Sequence, residues 1–233
     1  MSLVRVDCHL HTVASGDAVT TLDQLAERAA QESLDVVFIT DHNEISAAVG
    51  STADLASGSS SGRRSGRPDG DIIGLFLTER VPYVLPVAEV VARIRSQGGL
   101  VYAPHPFDAG RSSLGRVLPG CAAAGAVDIV EVFNAKIETQ GPNERAARPR
   151  DGLCPAGRSW LGRARPGLGI GAAYLEMPDF DGPASFLAAL ADARITGSTA
   201  RTPPLPAPPR GRRAAPYRST PYRPIRFASR SRW

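Results

Sequence analysis

Hydrophobic and polar positions alternate from the first residues of the chain. In Arg5-Val6-Asp7-Cys8-His9-Leu10-His11, following Leu3-Val4, a period of two puts Asp7, His9 and His11 on one face of a short strand and Cys8 and Leu10 on the other. The period then lengthens to that of a helix. Thr21-Leu22-Asp23-Gln24 has the form of a capping box, and Leu22, Leu25, Ala29 and Ala30 share one stripe behind it. Residues 35–40 read as a buried strand ending at Asp41-His42-Asn43, and residues 72–77 as another. A helix is predicted from Pro86, with Val87, Val90, Val91 and Ile94 on one side and Gly98-Gly99 as its stop. Strands follow at 100–103, ending at Pro104-His105-Pro106, at 128–133, ending at Asn134, and at 172–175. A last helix is predicted near Pro183, carrying Phe186, Leu187, Leu190 and Ile195 and stopped by Gly197. Strands alternating with helices, each strand releasing polar residues at its C-terminal end, predict a parallel α/β sheet or barrel with the site at that end.

Three stretches break the pattern. Residues 51–70 are rich in Ser, Gly and Arg with almost no bulky apolar side chain. Residues 145–169 hold six arginines with Asp151 as the only acid, and residues 198–233 are rich in Arg, Pro and Ser. By composition all three read as loop or disorder. The first two nevertheless occupy places where an α/β barrel needs a helix and a strand.

At 233 residues the chain suits one domain over 1–197 with a tail over 198–233. No apolar run approaches a membrane span and no secretory leader is evident, so a cytoplasmic chain is expected. Cys8, Cys121 and Cys154 are odd in number and irregularly spaced, which argues against a disulfide framework and a Cys-based zinc site. The net charge of +4 conceals a division: residues 201–233 contain nine arginines and no acid, leaving 18 basic against 23 acidic residues in 1–200. With Tyr217, Tyr222, Phe227 and Trp233 the tail has the means to neutralise phosphates and stack on bases, so nucleic-acid binding through it is a third functional reading. A non-functional extension is the blander one.

All four histidines, His9, His11, His42 and His105, fall at predicted strand ends, in company with Asp17 and Glu131. A lone histidine is most often a satisfied core or surface residue. Four at strand ends are a different case, because a His-x-His pair on one face converges on a transition metal and carboxylates supply compensating charge. Asp41, beside His42, reads either as a helix N-cap or as a group orienting an imidazole, and Asp7 shares the strand face of His9 and His11.

At this point the residues resemble the PHP (polymerase and histidinol phosphatase) domain family. Asp7-Cys8-His9-Leu10-His11-Thr12 with Ser15-Gly16-Asp17 looks like its first motif, Ile39-Thr40-Asp41-His42-Asn43 its second, and Pro104-His105-Pro106-Phe107-Asp108 its third. Glu131-Val132-Phe133-Asn134 looks like a later ligand-bearing strand. The resemblance implies a distorted seven-stranded (β/α) barrel, incomplete here, with up to three divalent ions (zinc, manganese or iron) that hydrolyses phosphoesters. It implies His9, His11, Asp17, His42, His105 and Glu131 as ligands, and Asn134 and Lys136 on a small phosphorylated metabolite or nucleotide; from their positions alone Asp7 and Asp41 are candidates to support the ligands from behind. Arg111 is a further candidate for the phosphate, although surface arginine is the commoner role.

The chain departs from that family in two places. A bridging glutamate is expected before the strand at 72–77, but 51–70 contains no glutamate; a Gly-Ser-Asp-x-His motif is expected before 172–175, but 145–169 contains no histidine. Two divalent ions about 4 Å apart repel by roughly 17 kcal/mol at an effective dielectric of 20, so bridging carboxylates are needed to hold them together. Asp17 and Glu131 are few for three ions. The expectation is at most one or two weakly held ions and impaired phosphoesterase activity, with a non-catalytic metal-binding remnant of the fold as the alternative. With arginine making up 26 of 27 basic residues, both stretches also look like a GC-rich gene read out of frame.

Overall fold

The computed structural model describes residues 3–47, 57–64, 67–82, 85–135, 137, 140–147, 159–161, 170–171 and 173–197. The chain order is β1 (Leu3–Leu10), a 3-10 turn (Val13–Ser15), α1 (Leu22–Gln31), β2 (Val36–Ile39), β3 (Ser57–Arg64), β4 (Arg67–Leu75) and α2 (Val87–Ser96). It continues with β5 (Leu100–Ala103), α3 (Leu118–Ala123), β6 (Ile129–Asn134), α4 (Gln140–Ala147), β7 (Ser159–Leu161), β8 (Ala173–Pro178), α5 (Pro183–Ala191) and β9 (Arg194–Gly197).

Local chemistry accounts for the helices foreseen above. At α1 the Thr21 hydroxyl accepts from Gln24 N (3.2 Å) while Gln24 Oε1 accepts from Thr21 N (3.1 Å), and Leu25 and Ala29 are buried beneath. Val90 and Ile94 are the buried positions of α2, one helical turn apart. The left-handed backbone at Gly98 (φ +73°) ends the excursion of that helix and leads into β5.

Two mixed sheets result, an α/β arrangement that does not close as a barrel. One runs β2-β1-β8-β9, the other β3-β4-β5-β6-β7. Among the described strands, β1–β2, β5–β6 and β6–β7 are parallel, and β1–β8, β8–β9, β3–β4 and β4–β5 are antiparallel. The sheets approach one another where β7 lies near β1 and β8, and where β2 lies near β3. The layout is that of a distorted, incomplete barrel.

The parallel sheet expected from the sequence is therefore corrected to a mixed one. Residues 57–64, expected as loop, form β3, in register with β4 from Ser57 opposite Leu75 to Gly62 opposite Gly70. Backbone hydrogen bonding to a neighbouring strand needs no apolar side chain, so composition did not reveal it. Likewise 145–169 contains the end of α4 and the three residues of β7. Ile195 lies in β9, because the last helix stops at Ala191 and the chain turns back antiparallel to β8. The tail 198–233, and with it the expected disorder and any nucleic-acid contact, lies outside the described residues.

Two apolar clusters support the frame. In the larger, Phe38, Phe76, Phe180 and Phe186 pack edge to face or tilted, with ring centroids 4.8 to 6.4 Å apart, against Val6, Cys8 and Leu10 of β1. In the smaller, α2 and α3 cover Ile72, Val101 and Val130 through Val90, Ile94 and Leu118. Because β1 is buried on both faces, Asp7, at 0% exposure, and His9, at 2%, are polar groups inside the protein that require partners. No helix among the described residues is long and apolar enough to cross a membrane.

Candidate metal centre

The ends of β1, β2, β5 and β6 deliver the polar residues. At the outer end, one ligand atom each from His11, Asp17 and His42 lies within 4.8 Å of the others. His11 Nδ1 is 3.0 Å from Asp17 Oδ1, and His42 Nε2 is 3.6 Å from Asp17 Oδ2. Asp17 arrives through the turn that follows β1: Thr12 caps it by accepting from Ala14 N (3.2 Å), and Gly16 ends it at φ +68°. Ser15 Oγ lies 3.0 Å from His11 Nδ1 and accepts from His42 N (3.0 Å), tying the turn to the end of β2.

Farther in, the imidazoles continue. Ring centroids are 4.6 Å apart for His11–His42, 5.3 Å for His9–His11 and 5.9 Å for His9–His105. Glu131, 1% exposed, faces His9 Nδ1 with Oε1 (3.1 Å) and accepts from the Tyr102 hydroxyl at the same oxygen (3.2 Å). Its Oε2 accepts from the His105 backbone N–H and from Asn134 Nδ2 (3.0 Å). A carboxylate on one ring nitrogen is the arrangement that fixes the tautomer and orientation of an imidazole ligand. His105 itself adopts φ +32° and Asn43 φ +53°, left-handed conformations uncommon for residues with side chains, right where β5 and β2 end.

Ionisation differs between the two zones. For Asp17 partial burial opposes the charged form, but hydrogen bonds with His11, His42 and Ser15 outweigh it and hold the carboxyl far below its ordinary range. Burial pushes Glu131 up, against the lowering effect of His105 and Asn134. Asp7 is pushed well up by burial, and the nearby Glu131 charge adds to the shift. Its Oδ1 accepts from His9 N (3.2 Å), whereas Oδ2 is buried without a hydrogen-bond partner among the described residues.

Other expected residues sit as follows. Asp41 accepts from Thr12 N (2.6 Å) and Thr12 Oγ (2.7 Å), so it fastens the end of β2 to the end of β1. Among the described residues its hydrogen bonds are those to Thr12. Asn134 holds Glu131 through its amide and exchanges backbone hydrogen bonds with the Asn143 side chain on α4 (2.9 and 3.2 Å). Arg111 is paired with Asp108 (2.7 Å). Lys136 lies outside the described residues. Tyr102, Ser15 and Asn143 also take part, of which only Ser15 lies within a motif visible in the sequence. The register of β5 beside β6 puts the Tyr102 hydroxyl on Glu131.

A family model for the PHP domain matches residues 7–76, the stretch that carries His9, His11, Asp17 and His42. Two uncharacterized proteins of Methanocaldococcus jannaschii are each 33% identical to this chain. One match runs over 146 residues, 61% of this chain and 58% of the relative; the other over 151 residues, 57% of this chain and 82% of the relative. The chain belongs to the PHP domain family.

Solved structures agree on the PHP-type fold. PsfC from Pseudomonas syringae superposes with a TM-score of 0.57 at 16% identity, covering 85% of this chain and 93% of that one. A two-domain protein from Bacteroides vulgatus, containing a predicted PHP-like metal-dependent phosphoesterase, gives 0.54 at 13% identity, covering 84% and 65%. At such identities the likeness is one of fold. This PHP chain spans a little over half the length of the first M. jannaschii relative.

Proposed function

We propose that this PHP chain is a metal-dependent hydrolase of small phosphate esters, holding one or two divalent ions at the strand ends. The observation that carries the reading is the convergence of His11, Asp17 and His42 within 4.8 Å, continued inward by His9 and His105. Imidazoles and a carboxylate are a donor set suited to zinc, iron or manganese. The buried Asp7 Oδ2, without a hydrogen-bond donor among the described residues, supports the fit, since a cation nearby would offset its charge.

His9, His11, His42, His105 and Asp17 would hold the metal. A divalent ion supplies Lewis acidity and positive charge for phosphoryl oxygens. The chain's own contribution is orientation. Glu131 sets the His9 ring, Asp41 and Thr12 lock β2 to β1, and Ser15 couples His11 to the His42 backbone. In this reading Glu131 acts through His9, as both its oxygens already serve protein groups. That leaves Asp17 as the carboxylate of the outer cluster, which is few negative charges for several ions, so activity is impaired relative to a site with bridging carboxylates. The buried free thiol of Cys8 suits a reducing, cytoplasmic setting. Residues 1–197 form the working unit, with 198–233 dispensable.

The test is metal content by mass spectrometry after loading with zinc or manganese, together with phosphate release from p-nitrophenyl phosphate. One or two bound ions with slow turnover is the expected result. Binding with no turnover would favour a non-catalytic metal-binding remnant. Three stoichiometric ions with fast turnover would overturn the impairment, and no binding would overturn the centre.

A further inference from the structure

We infer that a pocket beside His105 selects phosphate esters carrying a second anionic group, phosphate or carboxylate, through Arg116 and Arg145; this rests on the phosphoesterase reading above. The pocket is a cavity of about 520 Å³ whose wall begins at Pro106, the residue after His105, and includes Phe107, Asp108, Arg111, Arg116 and Arg145. An ester whose phosphate lies at the strand ends would therefore extend its remaining part toward these arginines.

The charges in the pocket are not equivalent. Asp108 accepts from Arg111 Nη1 at Oδ2 (2.7 Å) and from Gly110 N at Oδ1 (2.9 Å), so that acid and that base offset each other. Arg116 and Arg145 form no ion pair with a carboxylate among the described residues. Two uncompensated guanidinium groups on different elements, facing one concavity, create a positive potential that an anion relieves. Their planar forks match phosphate and carboxylate oxygens.

The Arg145 side chain and the loop that carries Arg116 are also held in place. The Arg145 guanidinium carbon stands 4.5 Å from the centre of the Phe107 ring, a stack on the pocket wall. Its helix, α4, is fastened to the end of β6 by the exchange between Asn143 and the Asn134 backbone, the same Asn134 that steadies Glu131. The loop bearing Arg116 is pinned on two sides. Gly115 N donates to Pro106 O (3.0 Å) and Asp71 N to Ser112 O (3.2 Å), while Gly70 approaches so closely that a Cβ there would lie 2.3 Å from Ser113 C. A guanidinium stacked as Arg145 is binds with little loss of side-chain freedom.

The experiment compares kcat/KM of the manganese-loaded full chain on two matched pairs of esters: propane-1,3-diyl bisphosphate against propyl phosphate, and 2-phosphoglycolate against ethyl phosphate. The expected result is a preference of about tenfold or more for the doubly anionic member of at least one pair, the first marking a second phosphate and the second a carboxylate. That preference falls to near one in Arg116→Gln/Arg145→Gln. Arg145→Lys, which keeps the charge and loses the stack, retains part of it. Equal rates within both pairs in the wild-type chain, or a preference surviving the double substitution, would overturn the inference. If no ester is hydrolysed the phosphoesterase reading fails, and the pocket is then judged by calorimetric titration of the metal-free chain with propane-1,3-diyl bisphosphate. Saturable binding weakened about tenfold by the double substitution supports it; absent or unaltered binding overturns it.

Discussion

Replacing Glu131 by Gln separates the two tasks of that residue, holding the core and setting His9. The side chain keeps its shape, and the four groups around it decide the outcome. If the Gln carbonyl takes the place of Oε2, it still accepts from His105 N–H and Asn134 Nδ2. The amide nitrogen then occupies the place of Oε1, opposite His9 Nδ1 and the Tyr102 hydroxyl. Tyr102 can turn to accept. His9 can accept at Nδ1 only as the tautomer that carries its proton on Nε2, the wrong one for a ligand. The opposite amide orientation would aim a donor at the His105 N–H and leave it unsatisfied, at about 1–3 kcal/mol. Stability should therefore change by only about 1 kcal/mol, since the lost charge-assisted bonds, each about 1.5–3 kcal/mol, are offset by no longer burying a carboxylate. Zinc affinity should fall about 10–100-fold, equivalent to roughly 1.4–2.7 kcal/mol. Chelator competition gives the affinity, urea denaturation the stability, and nitrogen chemical shifts of His9 the tautomer. An affinity within twofold of wild type, or a loss of more than about 3 kcal/mol in stability, would refute this account.

Three other perturbations read different parts of the molecule. Asp17→Asn should weaken zinc binding at least about tenfold with little effect on unfolding near neutral pH, because its carboxylate joins His11 to His42 at a partly exposed position; equal affinities in the same competition assay would count against the outer cluster. Gly70→Ala should destabilise by about 2 kcal/mol or more in urea, as the residue sits at φ +130° against the Ser113 backbone, and a change under about 0.5 kcal/mol would show that this contact is not tight. Burial raises the Glu131 carboxyl above its ordinary 4.5, so the folded chain holds a proton that the unfolded chain has already released; stability of the metal-free protein should decline as pH rises from 4.5 through the raised value. Glu131→Gln should make that decline shallower, and parallel slopes in urea midpoints for the two proteins would contradict the sign.

Much of this molecule was legible in the linear chain. The period-two face of β1, the capping box of α1 and the apolar stripe of α2 are local features, and each formed where its pattern stood, because hydrogen bonding within a turn and side-chain direction along a strand depend on neighbours in sequence. The candidate ligands were legible for the same reason: His11, His42 and His105 follow apolar runs, His9 shares the strand face of His11, and a strand that ends releases its polar residues at one edge. Strand direction was not local. Whether β4 runs with or against β5, and whether Ser57–Arg64 finds a partner at all, depends on which edges are open when the sheets assemble. The same holds for Glu131. The family resemblance made it a ligand candidate, yet Tyr102, Asn134 and the His105 backbone surround it only after β5 and β6 pair, and a fully buried carboxylate must take those partners. Sequence thus determined which groups are available for chemistry and at which strand ends, through interactions spanning a few residues. Only the tertiary structure decided which of them face one another, because packing of strands and helices remote in sequence sets those distances and the burial that gives each charge its role.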